Sequence, residues 1–406
     1  MHIGVFFPGF ISDQGGAFTF EQEMLKALVK LASTSSHRFT LFFDASSFCF
    51  AKTLTNYDHI EKVILQLQMP AKEERNLWLK IFDKMKRGLK TNSEVVRGIS
   101  PFQKEINERK IDLIWFPTSV YLPVDDPFIA TVWDIQHRSQ PWFPEVSKNG
   151  LWVSRETYYA KYLRKASFIL ACNNTARQEI SFYYQIPEVR FRLLPHPTPT
   201  IEHIPSAEEV KSVLDKYLIK KPYLLYPAQF WAHKNHINLL KAQKILLDEY
   251  RMDFQLVLVG SEQGNKLFVQ KMVGELGLEE SVKLLGFIPK EDLVALYCGA
   301  FALSYVTYFG PENLPPLEAF VCKCPVIASR VPGAEEQLGD AAILVNGSKP
   351  DEIAQAVRRL EVDPELRNFL IEKGQIRAAQ FTSLDYVKGV FSLLDEFELV
   401  RRNWGN

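Results

Sequence analysis

The stretch that decides the fold is Phe301-Ala-Leu-Ser-Tyr-Val306 followed, after Thr307, by Tyr308-Phe-Gly-Pro-Glu-Asn-Leu-Pro-Pro-Leu-Glu-Ala-Phe320. The first six residues are a short apolar run of the kind that forms a buried strand. The second run opens a helix near Leu314 or Pro315, because proline suits the first helical turn. The unpaired N–H groups of that turn are suited to a diphosphate. Glu318 is expected in the same turn, where its carboxylate accepts hydrogen bonds from a ribose diol; stabilisation of the helix dipole is the other reading. Glu312 lies in the loop ahead and is harder to place.

Strand-then-helix units of this kind recur in both directions. Strand-like runs occupy 2–7, 39–43, 111–116, 128–133 and 167–171, then 223–228, 254–260, 282–286, 301–306 and 325–328. Helical stretches lie between several of them, the first from about Phe18 to Leu31. Such alternation implies parallel sheets with helices on both faces. It is interrupted at Pro195-His196-Pro197-Thr198-Pro199, where three prolines in five residues continue neither a helix nor a central strand. The expected organisation is an α/β domain over 1–197, a second over 198–383, and a terminal helix over 384–406 that packs on either. Two such domains leave a cleft, a preferred place for ligands.

Composition narrows the class. The chain has 406 residues, 47% hydrophobic and 24% charged, with 48 Lys+Arg against 48 Asp+Glu. That excludes a disordered or fibrous chain, and it gives no overall charge to draw the protein to nucleic acid. Cys49, Cys172, Cys298, Cys322 and Cys324 are scattered, with no CxxC pair, so neither a disulfide framework nor a zinc site is expected. No apolar run reaches the roughly 18 residues of a membrane span. The N-terminus reads as a strand and not a signal peptide. The expected location is cytoplasmic, or peripheral to the inner face of a membrane. One segment, 72–90, has seven Lys/Arg against three acids, with Trp78, Ile81, Phe82, Met85 and Leu89 at helical spacing. It reads either as an amphipathic helix on its own domain or as a docking surface for anionic lipid or a charged acceptor.

Three further clusters carry chemistry. Gly15-Gly16, between the first strand and first helix, allow close backbone approach to a phosphate or simply a tight turn. Phe230-Trp-Ala-His-Lys-Asn-His236 follows the first strand of the second domain, where open α/β sheets bind ligands. Lys234 there sets an ammonium beside a diphosphate; its alternative is solvation, with Asn235 capping the next helix. His233 and His236 have no third metal ligand. Trp133-Asp-Ile-Gln-His-Arg138 follows the strand 128–133, and Asp134 and His137 either orient a hydroxyl or form a structural pair.

These residues together resemble the retaining glycosyltransferases of family 4, the group 1 glycosyl transferases, which have the GT-B fold. The signature is the run Phe309–Phe320 with Cys324-Pro-Val-Ile. Supporting it are Gly15-Gly16, Trp133-Asp-Ile-Gln-His137 with Pro144-Glu145, Lys234-Asn-His, Leu256-Val-Leu-Val-Gly260 and Leu285-Gly286-Phe287-Ile-Pro289. The resemblance implies two Rossmann-like domains facing across a cleft. It implies transfer of a sugar, mannose slightly favoured, from a donor such as GDP-mannose or a UDP-sugar to a glycan or lipid-linked acceptor in surface polysaccharide synthesis. Lys234 would neutralise the diphosphate and Glu318 bind the ribose. Asn313, Leu314 and Pro315 would surround the phosphates, with Gly16 opposite. His137 or Asp134 would meet donor sugar or acceptor. Gln229, Gly260, Phe287 and Glu312 would complete the nucleotide side.

The family's first glutamate, eight positions before Glu318, is Gly310 here, and its arginine before the lysine is Gln229; Arg138 or His233 are the bases able to compensate. No Asp-x-Asp occurs, so no metal is expected and no cofactor beyond the donor substrate. Retention without an evident nucleophile implies same-face attack, the diphosphate taking the proton. An epimerase or hydrolase on the same frame, or a non-catalytic sugar-nucleotide-binding subunit, are the alternatives.

Overall fold

The computed structural model describes residues 1–44, 59–65, 100–220 and 222–404. The basic segment 72–90 lies outside the described residues. The chain divides into two compact units: Met1–Cys172, Ala176–Leu194 and Ser383–Asn406 form the first, Asn173–Thr175 and Pro195–Thr382 the second.

The first unit is built on seven parallel strands: β1 His2–Phe7, β2 Arg38–Asp44, β3 Ile60–Leu65, β4 Leu113–Phe116, β5 Phe128–Val132, β6 Phe168–Ala171 and β7 Phe191–Leu193. Their order is β3-β2-β1-β4-β5-β6-β7. The strands at the centre are buried along their length, which is why they read as unbroken apolar runs instead of alternating ones. β1 pairs with β2 from His2 opposite Arg38 to Phe7 opposite Phe43. Helix α1, Gly16–Leu31, starts two residues before the expected Phe18. It buries Phe20, Met24, Leu25 and Leu28. Its cap, Gly15, has φ 62°, a conformation that costs glycine little. Helix α2 is Leu151–Lys165.

The C-terminal helix Ser383–Arg401 belongs to this first unit. Phe391 stacks on Phe39 with ring centroids 5.3 Å apart, and Tyr386 meets Phe20 edge-on at 5.5 Å. Arg401 Nε donates to Asp112 Oδ1 at 2.9 Å. The terminal chain therefore closes the face of the sheet where its own sequence began.

The second unit repeats the plan with β8 Tyr223–Pro227, β9 Gln255–Val259, β10 Val282–Gly286, β11 Ala302–Tyr305, β12 Val326–Ser329 and β13 Ala342–Val345. The order β10-β9-β8-β11-β12-β13 is again wholly parallel. The helices that matter for the site are α3 His236–Asp248, α4 Lys266–Glu275, α5 Lys290–Gly299, α6 Leu314–Val321 and α7 Ala334–Leu338. The proline-rich stretch from Pro195 to Pro205 carries no helix or named strand, only a bridge between Thr198 and Thr382. In each sheet the winding reverses once, between β1 and β4 and between β8 and β11. Ligands of open α/β sheets sit at the carboxyl ends of strands beside such a reversal.

Because Phe391 is buried against β2, Phe391→Ala is expected to destabilise the first unit by about 3 kcal/mol. Urea unfolding followed by tryptophan fluorescence measures this; an unchanged midpoint would mean that the C-terminal helix contributes little to that unit.

Candidate functional site

Lys234 lies in a single helical turn, Ala232–Lys234, that links β8 to α3. Its ammonium donates to the Tyr305 hydroxyl at 3.0 Å and sits 5.4 Å from the centre of that ring. Tyr305 closes β11, the strand beside β8. Its hydroxyl donates to Asn313 Oδ1 at 3.2 Å. Asn313 is the cap of α6, and Gln337 of α7 clasps its backbone, accepting from the Asn313 N–H at 3.0 Å and donating to its carbonyl at 2.8 Å. One hydrogen-bonded chain thus runs Lys234–Tyr305–Asn313–Gln337 across the winding reversal.

A second set of bonds fixes the same two loops. Asn235 holds a left-handed backbone with φ 58°. It does not cap α3 through its side chain; its amide instead donates to Val306 O at 2.8 Å and Gly347 O at 2.7 Å. Tyr308 N–H and the Thr307 hydroxyl both donate to the His233 carbonyl, at 2.8 and 3.2 Å. The lysine turn is therefore rigidly placed beside the start of α6.

Two expectations about α6 change. The helix starts at Leu314, so Glu318 is its fifth residue and lies beyond the first turn. The first turn is also poor in donors. The Asn313 N–H is spent on Gln337, and Pro315 and Pro316 have none. Among the described residues Leu314 keeps an N–H with no protein acceptor. Glu318 accepts from the Tyr297 hydroxyl of α5 at 2.8 Å, and burial pushes its carboxyl above the ordinary range. At Gly310 a Cβ would lie 2.6 Å from the Asn313 amide, so the glycine gives Asn313 its room.

The remaining nucleotide-side positions stand at neighbouring strand ends. Gly260 follows β9, and a Cβ there would lie 2.2 Å from Ala228 O, so only glycine permits this backbone approach. Gln229 Oε1 accepts from Trp231 Nε1 at 2.9 Å. Phe287, after β10, is largely exposed. Lys266, at the start of α4, holds its ammonium 5.7 Å from the Phe230 ring centre. It is a second cation at these strand ends, and nothing in the sequence pattern singled it out. Glu312 is buried and accepts from His196 N–H at 2.5 Å; burial pushes its carboxyl up to about 8.

In the first unit, Gly15 and Gly16 open α1, and the loop ahead of them is held by Glu21. Its carboxylate accepts from Gly9 N–H at 2.9 Å and Phe10 N–H at 2.7 Å, and burial raises it to about 7. Asp134 accepts from Arg155 of α2 at 2.6 Å and from Gln136 N–H at 2.9 Å. Burial pushes the Asp134 carboxyl up, but the Arg155 charge outweighs it and holds the group below its ordinary value. His137 is enclosed: Nε2 lies 3.2 Å from Glu156 and 3.1 Å from the Tyr184 hydroxyl, and the ring stacks on Tyr159. Burial lowers its pKa to about 4, so the ring is neutral near pH 7. Asp134 and His137 thus have separate partners. Arg138 is committed to Glu156. Arg155, Glu156, Tyr297, Tyr305 and Gln337 escaped the sequence reading because none stands in a motif; each is placed by folding alone.

With the geometry known, the fold is GT-B. Residues 212–377 match the family described as Glycosyl transferases group 1. The chain is 30% identical to the O-antigen chain mannosyltransferase B of Escherichia coli over 222 residues, 54% of this chain and 58% of that one. It spans little more than half the length of the curated relatives it matches. Among solved structures, a sucrose-phosphate synthase from Thermosynechococcus elongatus superposes with a TM-score of 0.72 at 17% identity, covering 98% of this chain and 99% of that one. Anabaena HepE in complex with UDP and glucose gives 0.67 at 15%, covering 98% and 100%. Identity this low carries the fold alone. Among the described residues no helix is long and apolar enough to cross a membrane.

Glu312 makes a pH prediction. Its folded-state pKa of about 8 stands above the ordinary 4.5, so the folded chain keeps a proton that the unfolded chain releases. That contribution is fully present at low pH and is lost as pH rises toward 8. Glu312→Gln retains an acceptor for His196 N–H, so its melting temperature relative to the parent should climb from pH 5 to pH 8.5. A difference that does not vary with pH would contradict the buried, protonated carboxyl.

Proposed function

We propose that the chain is a retaining group 1 glycosyltransferase. It moves a sugar, mannose favoured, from a nucleoside-diphosphate donor to a hydroxyl of a glycan or lipid-linked acceptor. The donor is GDP-mannose or a UDP-sugar, the pathway surface polysaccharide synthesis, and the location the cytoplasm or the inner face of a membrane. The observation that carries this reading is the Lys234 ammonium tied through Tyr305 to the start of α6, on the two strands that flank the winding reversal. The match over 212–377 and the mannosyltransferase relative support the reaction class and the sugar.

The chemistry follows from the leaving group. Breaking the glycosidic C–O bond leaves negative charge on a diphosphate, and a fixed cation aimed at that charge is the largest stabilisation a protein supplies. Lys234 is such a cation, and its hydrogen bond to Tyr305 and the cross-tied loops hold it in place before substrate arrives. The Leu314 N–H adds one donor. Lys266 adds a second cation where the family's arginine is replaced by Gln229. With this charge complement and no Asp-x-Asp pair, the reaction as proposed needs no metal. Glu318, already holding Tyr297 on Oε2, offers Oε1 to the ribose hydroxyls. The acceptor oxygen attacks the anomeric carbon on the face from which the diphosphate departs, and a phosphate oxygen takes its proton. Asp134, held ionised by Arg155 and partly exposed, serves donor sugar or acceptor as a hydrogen-bond partner, while His137, enclosed and neutral near pH 7, supports the loop from behind.

Lys234→Ala should lower turnover about 10²–10³-fold, the usual effect of removing one such donor, with little change in melting temperature. Release of nucleoside diphosphate from GDP-mannose or a UDP-sugar in the presence of acceptor measures it, and proton NMR of the product reports the anomer. Unchanged turnover, or an inverted anomer, would contradict the proposal.

A further inference from the structure

A column of four side chains in the second unit links the turn of Lys234 to Lys266. The Tyr226 hydroxyl of β8 donates to the Lys234 carbonyl, and the Tyr226 ring centre lies 5.0 Å from that of His236. His236 stacks on Phe230 at 4.6 Å, with the planes 14° apart. The Lys266 ammonium lies over the Phe230 ring, 5.7 Å from its centre. Phe230 is a fixed base for that ammonium. The residue is fully buried, its N–H donates to Ser261 O at 3.0 Å, and its bridge to Glu262 carries the pairing of β8 and β9 past the two strands themselves.

Lys266 has little else to hold it. It begins α4, whose first turn carries no acid, and the positive end of a helix dipole disfavours a cation there. Glu262, the nearest acid in sequence, spends Oε1 on the main-chain N–H groups of Gly264 and Lys266, the latter at 3.4 Å. Among the described residues no carboxylate forms an ion pair with the Lys266 ammonium. At Gly286, which ends β10, an added Cβ would stand 3.9 Å from that ammonium. The charge therefore lies at the carboxyl end of β9, between the ends of β8 and β10. Lys234 is tied to β11, on the other side of β8, so the two ammonium groups flank the end of β8.

We propose that Phe230 is a positioning residue for donor binding: its ring holds the Lys266 ammonium by a cation–π contact, so that Lys234 and Lys266 grip the diphosphate from two sides. This rests on the reading of Lys266 as the second cation of the donor site. Phe230 acts through Lys266 and does not itself touch the nucleotide. The face of an aromatic ring attracts an ammonium within about 6 Å of its centre. A carboxylate would hold the same ammonium but cancel its field toward an incoming anion. An uncharged ring restrains it and leaves the whole positive charge for the diphosphate. His236, stacked on Phe230, does not oppose this, because burial lowers its pKa to about 3 and the imidazole is neutral near pH 7. Lys234 is held in the same manner, 5.4 Å from the Tyr305 ring centre.

The experiment is calorimetric titration of GDP and UDP, and of guanosine and uridine, into the full chain and into Lys266→Met, Phe230→Leu and the double variant. Lys266→Met should bind the diphosphate that the parent binds about tenfold more weakly, the effect of losing one charge-assisted contact. Phe230→Leu should lose about threefold, because the ammonium remains but roams. The nucleosides should bind as before, and the double variant should be no weaker than Lys266→Met alone. Lys266→Arg should bind like the parent, since a guanidinium also stacks on an aromatic face. Trifluorophenylalanine placed at position 230 keeps the ring in the core and strips its face of negative charge, so it should reproduce Phe230→Leu even if the leucine variant folds poorly. Losses that add in the double variant, a loss shared equally by the nucleosides, or a trifluorophenylalanine chain that binds like the parent would overturn the role of Phe230. Unchanged diphosphate affinity in Lys266→Met, with Lys234→Ala still weakened, would overturn this proposal alone. A parent that binds neither GDP nor UDP would overturn the donor-site reading and this proposal with it.

Discussion

The Lys234–Tyr305 hydrogen bond is the interaction on which the site in the second unit depends. It joins the turn after β8 to the end of β11, strands that are far apart in sequence and neighbours in the sheet. From Tyr305 the chain of bonds continues to Asn313 and Gln337 and so fixes where α6 begins. A lysine on a surface turn samples many rotamers. One tied to a tyrosine at 3.0 Å, on loops bonded together at Asn235 and His233, has already lost most of that freedom before a ligand arrives. Preorganisation of this kind lowers the cost of binding an anion.

Burial performs a comparable task with the carboxylates. Glu21, Glu312 and Glu318 are all pushed above their ordinary range by desolvation, and each keeps a hydrogen-bond donor beside it: backbone N–H groups for Glu21 and Glu312, the Tyr297 hydroxyl for Glu318. Asp134 goes the other way because Arg155 supplies a full charge at 2.6 Å. The same physics thus sorts four acids into three that hold their protons more firmly and one that stays ionised.

Much of the fold was legible because the strands of a doubly covered parallel sheet are unbroken apolar runs, and ten of them stand out in the sequence. Three did not. β3, Ile60-Glu-Lys-Val-Ile-Leu65, carries two charges and lies at the sheet edge; β7 has three residues; β13 is a four-residue edge strand. The site was legible only in part. Lys234 and Asn313 stand in motifs at strand ends, and the fold joins them through Tyr305. Tyr305 itself reads as one more apolar strand residue, and Gln337 as a surface helix residue, because only the sheet order brings them to the chain. Glu318 was found by its motif, and the helix start near Leu314 was read correctly, but as the fifth helical residue Glu318 stands just past the first turn to which the reading had assigned it. Asn235, for which capping of the next helix was the alternative reading, does stand at the N-cap of α3 but spends its amide on two loop carbonyls, a choice that depends on partners 71 and 112 residues away.

The most direct test of this account is calorimetric titration of GDP, GMP and guanosine, and of their uridine counterparts, into Tyr305→Phe and its parent. The substitution keeps the ring beneath the ammonium and deletes the one hydroxyl that links Lys234 to Asn313. The account predicts that the diphosphate loses about tenfold in affinity, that the nucleoside is unaffected, and that the monophosphate falls between. Equal affinities for the diphosphate in the two proteins would contradict it.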